Sequence, residues 1–249
     1  MRALITGASS GIGREMAKYL DSLNCELILV ARNKEQLESL SLELKHKPKL
    51  VVMDLLLESN VKSLYVLTKN EDIDILVNNA GFGNFGKFTE TDLVNDLEMI
   101  DLNIKTLHML TKMFLKDMKK KNKGYILNVA SSASFQPGPL MATYYSTKAY
   151  VLHLTEAIWY ELKKEKSNIK ISCLCPGPVA TNFNRVAGVK FSVKPLSAKY
   201  VAKYGIDQML KGKLVIIPGF KMKCARFFGR FLSDKALMKI TYRIQKKKQ

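Results

Sequence analysis

Tyr144 and Lys148 stand four residues apart near the start of a long helical segment, so their side chains share one face and can meet the same ligand. A free phenol has a pKa of about 10, too high for efficient proton transfer near neutrality. A lysine ammonium beside it favours the phenolate and lowers that value. Ser131, thirteen positions before Tyr144, can hold a substrate oxygen through its hydroxyl as negative charge develops there. Ser132 is the adjacent alternative. Tyr145 lacks the four-residue spacing to Lys148 and reads as a packing tyrosine. The chemistry these residues offer is proton exchange with an oxygen.

Short apolar runs alternate with amphipathic segments of helical length, which predicts a parallel sheet covered by helices on both faces. The predicted strands are 3–6, 26–31, 50–53, 73–78, 124–130, 169–175 and 214–217. Seven such strands make a doubly wound, Rossmann-type α/β sheet, with its ligand across the carboxyl ends of the strands. Asn33 should cap a helix running to about Leu44, and Thr89 one beginning at Glu90. No linker divides the 249 residues, so one domain is expected.

Between the first strand and helix lies Thr6-Gly7-Ala8-Ser9-Ser10-Gly11-Ile12-Gly13. Glycines there admit a pyrophosphate close to the backbone, and the helix start presents free N–H groups to its charge. The spacing is GxxxGxG. With Asn78-Asn79-Ala80-Gly81 after the fourth strand, YxxxK at Tyr144 and Lys148, and Pro176-Gly177-Pro178-Val179-Ala180-Thr181 after the sixth, the chain resembles the short-chain dehydrogenase/reductase family over residues 1 to about 185.

That resemblance implies a nicotinamide cofactor, with Lys148 on its ribose, Val179 and Thr181 at its carboxamide, and Pro176, Gly177, Asn79, Ala80 and Gly81 forming the wall. It also implies that the Asp54 carboxylate reaches the adenine, although a helix cap is an alternative for that residue. Asn103 corresponds to the family's asparagine on a water-linked proton path, with Asn95 a weaker competitor. After the second strand, where an acid would signal NAD, the sequence reads Ala31-Arg32. The Arg32 guanidinium, with Arg14 beside the glycine turn, can pair with a 2′-phosphate and favours NADP(H) over NAD(H). The implied activity is hydride transfer between NADP(H) and a carbonyl or alcohol, with Tyr144 as general acid and base. A non-catalytic, redox-sensing NADP(H)-binding protein is the alternative, which an intact Ser131, Tyr144 and Lys148 disfavours. An epimerase acting on sugar nucleotides would also use YxxxK, but the glycine spacing suits a simple reductase better.

Segment 182–197 should cover the substrate, with Phe183, Val186, Val189, Phe191 and Val193 as an apolar lining and Phe135 with Pro137-Gly138-Pro139 as the opposite wall. An apolar or lipid-like carbonyl substrate follows. Cys25, Cys173, Cys175 and Cys224 are too irregular for a disulfide framework, and the scattered His46, His108 and His153 form no ligand set, so no metal is expected.

No apolar run reaches the roughly 18 residues of a membrane span, and the N-terminus lacks a secretory pattern, which points to the cytoplasm. The net charge is +18. Much of it is ordinary solvated helix surface, but Lys and Arg greatly outnumber Asp234 in a basic helical extension, residues 219–249, whose aromatic and cationic residues suit an anionic membrane at the inner face, the chain's own domain or a second subunit. No specific nucleic-acid module is present. The family resemblance implies a homodimer or homotetramer joined through the long central helices.

Overall fold

The computed structural model describes residues 1–181, 183 and 195–246. Seven parallel strands form one sheet in the order β3-β2-β1-β4-β5-β6-β9, where β1 is Arg2–Thr6, β2 Glu26–Ala31, β3 Lys49–Val52, β4 Ile75–Asn78, β5 Tyr125–Val129, β6 Lys170–Leu174 and β9 Val215–Ile216. The expected strands are all present: β1 starts one residue earlier, β2 matches, β3 is shifted back by one residue, and the other four are shortened by a residue or two at one or both ends. Strand order reverses between β1 and β4, and a crevice opens there at the carboxyl edge. A small parallel pair, β7 (Val179–Ala180) and β8 (Leu196–Ser197), lies apart from the main sheet.

Side-chain alternation along β1 shows why both faces are covered. Ala3 and Ile5 point to one side, where they pack with Met16 and Leu20 of α1 (Gly11–Ser22), Leu37 and Leu40 of α2 (Lys34–Glu43), and Val201 and Met209 of α7 (Ala198–Leu210). Leu4 points to the other, joining Leu64 of α3 (Glu58–Thr68), Phe114 and Met118 of α5 (Leu107–Lys121), and Leu162 of α6 (Ala142–Lys164). Strands buried on both faces need the nearly continuous apolar runs seen in the sequence.

Asn33 caps α2 as expected, its side chain accepting from Gln36 N at 2.8 Å. Thr89 caps nothing: α4 is Leu93–Ile100, and its cap is Asp92, whose carboxylate accepts from Asn95 N at 2.9 Å. The carboxylate provides the stronger acceptor, and it stands three residues before the N–H it binds. A π-helical turn, Asp101–Thr106, joins α4 to α5. The basic extension is helical, forming α8 (Phe220–Gly229) and α9 (Asp234–Lys246).

One polar cluster interrupts the core. Asn78 Nδ2 donates to Asn128 Oδ1 at 2.9 Å and to Thr111 Oγ1 at 3.0 Å, while Asn128 Nδ2 donates to Thr155 Oγ1 at 3.0 Å. All four residues are buried. They tie β4 and β5 to α5 and α6, the two helices that flank the site.

Candidate active site

A cleft of about 430 Å³ runs along the carboxyl edge of the sheet, from the glycine turn at one end to Tyr144 at the other. Its size suits a dinucleotide's reactive portion together with a small substrate.

Helix α6 carries Tyr144 and Lys148 into the cleft on adjacent turns, and both side chains are buried. Lys148 Nζ donates to Val129 O at 3.1 Å and lies 5.9 Å from the centre of the Tyr144 ring. Burial lowers the lysine from 10.5 to about 8, which leaves it charged at neutral pH. Burial also pushes the Tyr144 phenol well above its ordinary value, and the Ser131 hydroxyl pulls in the opposite direction. Ser131 Oγ accepts from Ala133 N at 3.1 Å, capping the 3-10 turn Ser132–Phe135. That contact uses a lone pair, so the hydroxyl proton stays available to a substrate oxygen.

Tyr145 also borders the cleft, but its ring covers Gly138 and its hydroxyl accepts from Gln245 Nε2 on α9. Burial raises it to about 12. It has no lysine partner. Ser132 borders the cleft too, with its backbone N–H donated to Pro176 O at 2.8 Å.

At the other end, Gly7 and Gly11 adopt φ of +64° and +56°, a region that penalises a side chain. Gly13 is required for a different reason: a Cβ there would lie 2.4 Å from both Asn79 Nδ2 and Gly7 O. Asn79 explains the close approach, since its side-chain amide donates to Thr6 O and Gly7 O, each at 3.1 Å. The Thr6 hydroxyl accepts from the N–H groups of Asn79 and Ala80. These bonds hold the glycine turn against β4. Ser10 caps α1 without a side-chain hydrogen bond, and Ser9, Ser10, Gly11 and Ile12 face the cleft. A helix start with first-turn donors beside side-chain-free backbone fits a pyrophosphate.

Arg32 borders the cleft beyond β2, its side chain 65% exposed and 3.8 Å from Asp54. Asp54 Oδ1 accepts from Leu56 N at 3.0 Å in a local turn, while α3 starts later, with Leu57 at its cap. Arg14 is placed elsewhere. It is paired with Glu43 and donates to Gln36 O at 3.1 Å and Ser39 Oγ at 3.3 Å, which fastens α1 to α2 outside the cleft's lining. On the opposite wall, Pro176, Gly177, Val179 and Thr181 border the cleft, and a Cβ on Gly11 would lie 3.2 Å from Thr181 Cγ2.

Asn103 sits in the π-helical turn with its side chain fully buried. Its Oδ1 accepts from Phe82 N at 3.1 Å, and its Nδ2 donates to Phe82 O at 2.9 Å and Thr147 Oγ1 at 3.1 Å. Its side chain thus clamps the Gly81-Phe82 turn onto α6 instead of lining the cleft. Asn95 is exposed on the outer side of α4.

The substrate end differs from expectation. Phe183 does face Tyr144, with ring centres 5.4 Å apart. Phe135 points away, toward α8, with the Arg226 guanidinium 4.5 Å from its ring centre; Gly138 backs Tyr145. Phe135 is the last residue of the short 3-10 turn after Ser131. Of the apolar residues clustered with Tyr144, Phe82 and Met141 border the cleft, whereas Phe85 and Met99 belong to the cluster without lining it. Gly83 makes room, since a Cβ would come within 2.8 Å of Phe183 and 3.0 Å of Tyr144. No motif marks these apolar residues; only the fold gathers them. Val186, Val189, Phe191 and Val193 lie outside the described residues.

All four cysteines are unpaired thiols, and burial raises Cys173, whose sulfur lies 3.7 Å from that of Cys175. Among the described residues no cluster of His, Cys, Asp and Glu could hold a metal. His46 contacts Asp21, His108 Tyr150 and His153 Glu156, all away from the cleft.

A parallel sheet with this switch point, a glycine turn and a buried Tyr-Lys pair defines a Rossmann-type nucleotide-dependent oxidoreductase. The chain belongs to the short chain dehydrogenase family, whose model matches residues 1–189. An uncharacterized oxidoreductase of Staphylococcus epidermidis is 36% identical over 182 residues, covering 72% of this chain and 78% of that protein. A very-long-chain 3-oxoacyl-CoA reductase of Pyrenophora tritici-repentis is 32% identical over 194 residues, covering 74% of this chain and 56% of the reductase. Among solved structures, a short-chain dehydrogenase from Sphingobium yanoikuyae in complex with NADPH superposes with a TM-score of 0.83 at 26% identity, covering 92% of this chain and 93% of that one.

Proposed function

We propose that the protein interconverts an apolar carbonyl compound and its alcohol with NADP(H). One observation carries the reading: Ser131, Tyr144 and Lys148 meet at one end of the cleft whose other end is the glycine turn. The nicotinamide supplies or accepts the hydride. Tyr144 donates its phenolic proton to the substrate oxygen in reduction and accepts it back in oxidation. Ser131 donates a hydrogen bond to the same oxygen, stabilising the charge that develops on it. Lys148 keeps one ammonium proton on Val129 O and directs the others toward the cofactor ribose, while its charge favours the phenolate.

Gly7, Ser9, Ser10, Gly11 and Ile12 would bind the pyrophosphate, with Gly13 packed behind them on Gly7 and Asn79, Asp54 would bind the adenine, and Val179 and Thr181 the carboxamide. Arg32 meets the 2′-phosphate. It is exposed at the cleft's edge, its pairing with Asp54 is loose at 3.8 Å, and no acid replaces it after β2. The rings and thioethers around Tyr144 favour a ketone or acyl substrate with an apolar body, in keeping with the 3-oxoacyl-CoA reductase among the relatives. The 249 residues work as a single domain in a cytoplasmic homo-oligomer. Helix α4 leaves Leu93, Val94 and Leu97 exposed along one side, which suits subunit contact.

The test is NADPH oxidation across ketones, aldehydes and 3-oxoacyl thioesters with wild type and Tyr144→Phe. Loss of the phenol should reduce turnover by roughly 10²- to 10⁴-fold. Equal turnover in the two proteins would remove the mechanism.

A further inference from the structure

The basic extension turns its polar and small contacts inward and its rings outward. On α8, Met222 packs against Gly177, and Arg226 covers Phe135 and lies 3.9 Å from Glu156. The opposite side of the helix carries Phe220, Phe227 and Phe228, with Phe231 in the next turn, exposed by 79%, 57%, 64% and 74%. The Phe227 ring meets those of Phe228 and Phe231 edge-on, with centres 5.4 Å apart in each pair. They form one continuous apolar patch.

Helix α9 is anchored from beneath. Thr241 and Gln245 are buried, Gln136 Nε2 donates to Thr241 Oγ1 at 2.9 Å, and Gln245 Nε2 donates to the Tyr145 hydroxyl. Its outer side displays Lys235, Lys239 and Arg243 at four-residue spacing, followed by Lys246 and flanked by exposed Ile240 and Ile244. Residues 220–249 contain ten lysines and arginines against Asp234 alone. Among the described residues, Lys221, Lys223, Arg230, Lys235, Lys239, Arg243 and Lys246 enter no ion pair.

We propose that this face docks on an anionic phospholipid membrane, a role that goes beyond the hydride chemistry and does not depend on it. Exposed phenylalanines bury their rings at the boundary between headgroups and acyl chains, while surrounding lysines and arginines meet anionic headgroups. Among the described residues, none of the protein's own domain covers the patch. A second copy docked face to face would bring two cationic rims together. Single-stranded nucleic acid is met by rings spaced as separate stacking platforms, whereas these rings pack on one another. Met222 against Gly177 and Gln245 against Tyr145 set the docking face directly behind the cleft wall. An apolar substrate partitioned in lipid would then lie close to the site.

The full chain is sedimented with vesicles of phosphatidylcholine alone and of phosphatidylcholine mixed with phosphatidylglycerol, at low and high salt. Binding is expected with the anionic vesicles, weakened by salt. In Lys239→Glu/Arg243→Glu it should fall roughly 25-fold or more, taking about fivefold for each cation near the surface. Phe227→Ser/Phe228→Ser should also release the protein while keeping the wild-type melting temperature, since both rings are exposed. Equal binding to neutral and anionic vesicles, or unchanged binding by either variant, would overturn the proposal. So would a patch that serves another partner. That result is a wild type that ignores vesicles while its dimer, or its affinity for a single-stranded oligonucleotide, depends on Phe227 and Phe228.

Discussion

Asn103 offers a test between two roles for one side chain: a proton path to Lys148, as the family resemblance implies, or the clamp seen here on the Gly81-Phe82 turn. Asn103→Ala removes three hydrogen bonds. Thr147 still donates to Tyr144 O at 2.8 Å, so the groups left without partners are the Phe82 N–H and C=O. Each orphaned buried group costs about 1–3 kcal/mol, which puts the loss for the two at about 2–6 kcal/mol. For a domain of this size each kcal/mol lowers the melting temperature by about 2–4 °C, so a fall of roughly 4–24 °C is expected by circular dichroism.

The same clamp sets the cofactor wall, because Gly81 approaches Asn103 so closely that a Cβ would lie 2.6 Å from its Oδ1. NADPH affinity, followed by fluorescence titration, should therefore weaken about tenfold, equivalent to ~1.4 kcal/mol. Thr147→Val should cost less on its own. Combined with Asn103→Ala it should cost less than the sum, because the two side chains share a hydrogen bond. A melting temperature within about 2 °C of wild type, together with unchanged NADPH affinity and lost turnover, would refute the clamp and return Asn103 to the proton path.

Arg32→Ala should weaken NADPH binding by about tenfold or more, the value of a hydrogen bond to a charged group, and leave NADH binding nearly unchanged. Equal weakening of both, measured by titration, would reject the phosphate contact. Lys148 gives a pH signature. Its folded pKa of about 8 lies below the ordinary 10.5, so above about 8 the unfolded chain holds more protons than the folded one, and stability should rise with pH up to the tyrosine range. Below about 8 the burial penalty is fully present. Urea midpoints for wild type and Lys148→Met across that window should converge as pH rises; a constant difference would mean the lysine is not buried in its charged form.

Local spacing made the fold and the chemical end of the site legible. Alternation of Ala3, Leu4 and Ile5 announces a strand buried on both sides, and Tyr144 with Lys148 needs only the helical period to share a face. The glycine turn is readable for the same reason, since Gly7 and Gly11 answer a backbone requirement at their own positions. What escaped depends on partners distant in sequence. Arg14 follows the glycine turn closely, yet Glu43 on α2 draws it away from the cleft. Phe135 is apolar and near Ser131, but its direction is set by α8, nearly a hundred residues later. The Asn78–Asn128 cluster and the Asn103 clamp are side-chain contacts across elements, and nothing in residue type alone tells a buried asparagine from a surface one.

Burial acts on Tyr144 and Lys148 in opposite senses: it raises the phenol and lowers the ammonium, so each is pushed toward its neutral form. The lysine resists, because about 8 still leaves it cationic at neutral pH, whereas Tyr144 stays protonated. With Lys148 as its only cationic neighbour among the described residues, the phenol therefore keeps its proton at neutral pH and is not free to accept another until its pKa is lowered. Accepting a proton from an alcohol requires a second positive charge in the same buried space, where low polarity strengthens its pull. In the proposed reaction an oxidised nicotinamide held by Lys148 would supply that charge, and a reduced one would not. In the proposed reaction the proton chemistry of Tyr144 would thus follow the redox state of the cofactor, as acid with the reduced form and as base with the oxidised form. On that proposal, burial of the Tyr-Lys pair would let one tyrosine serve both directions.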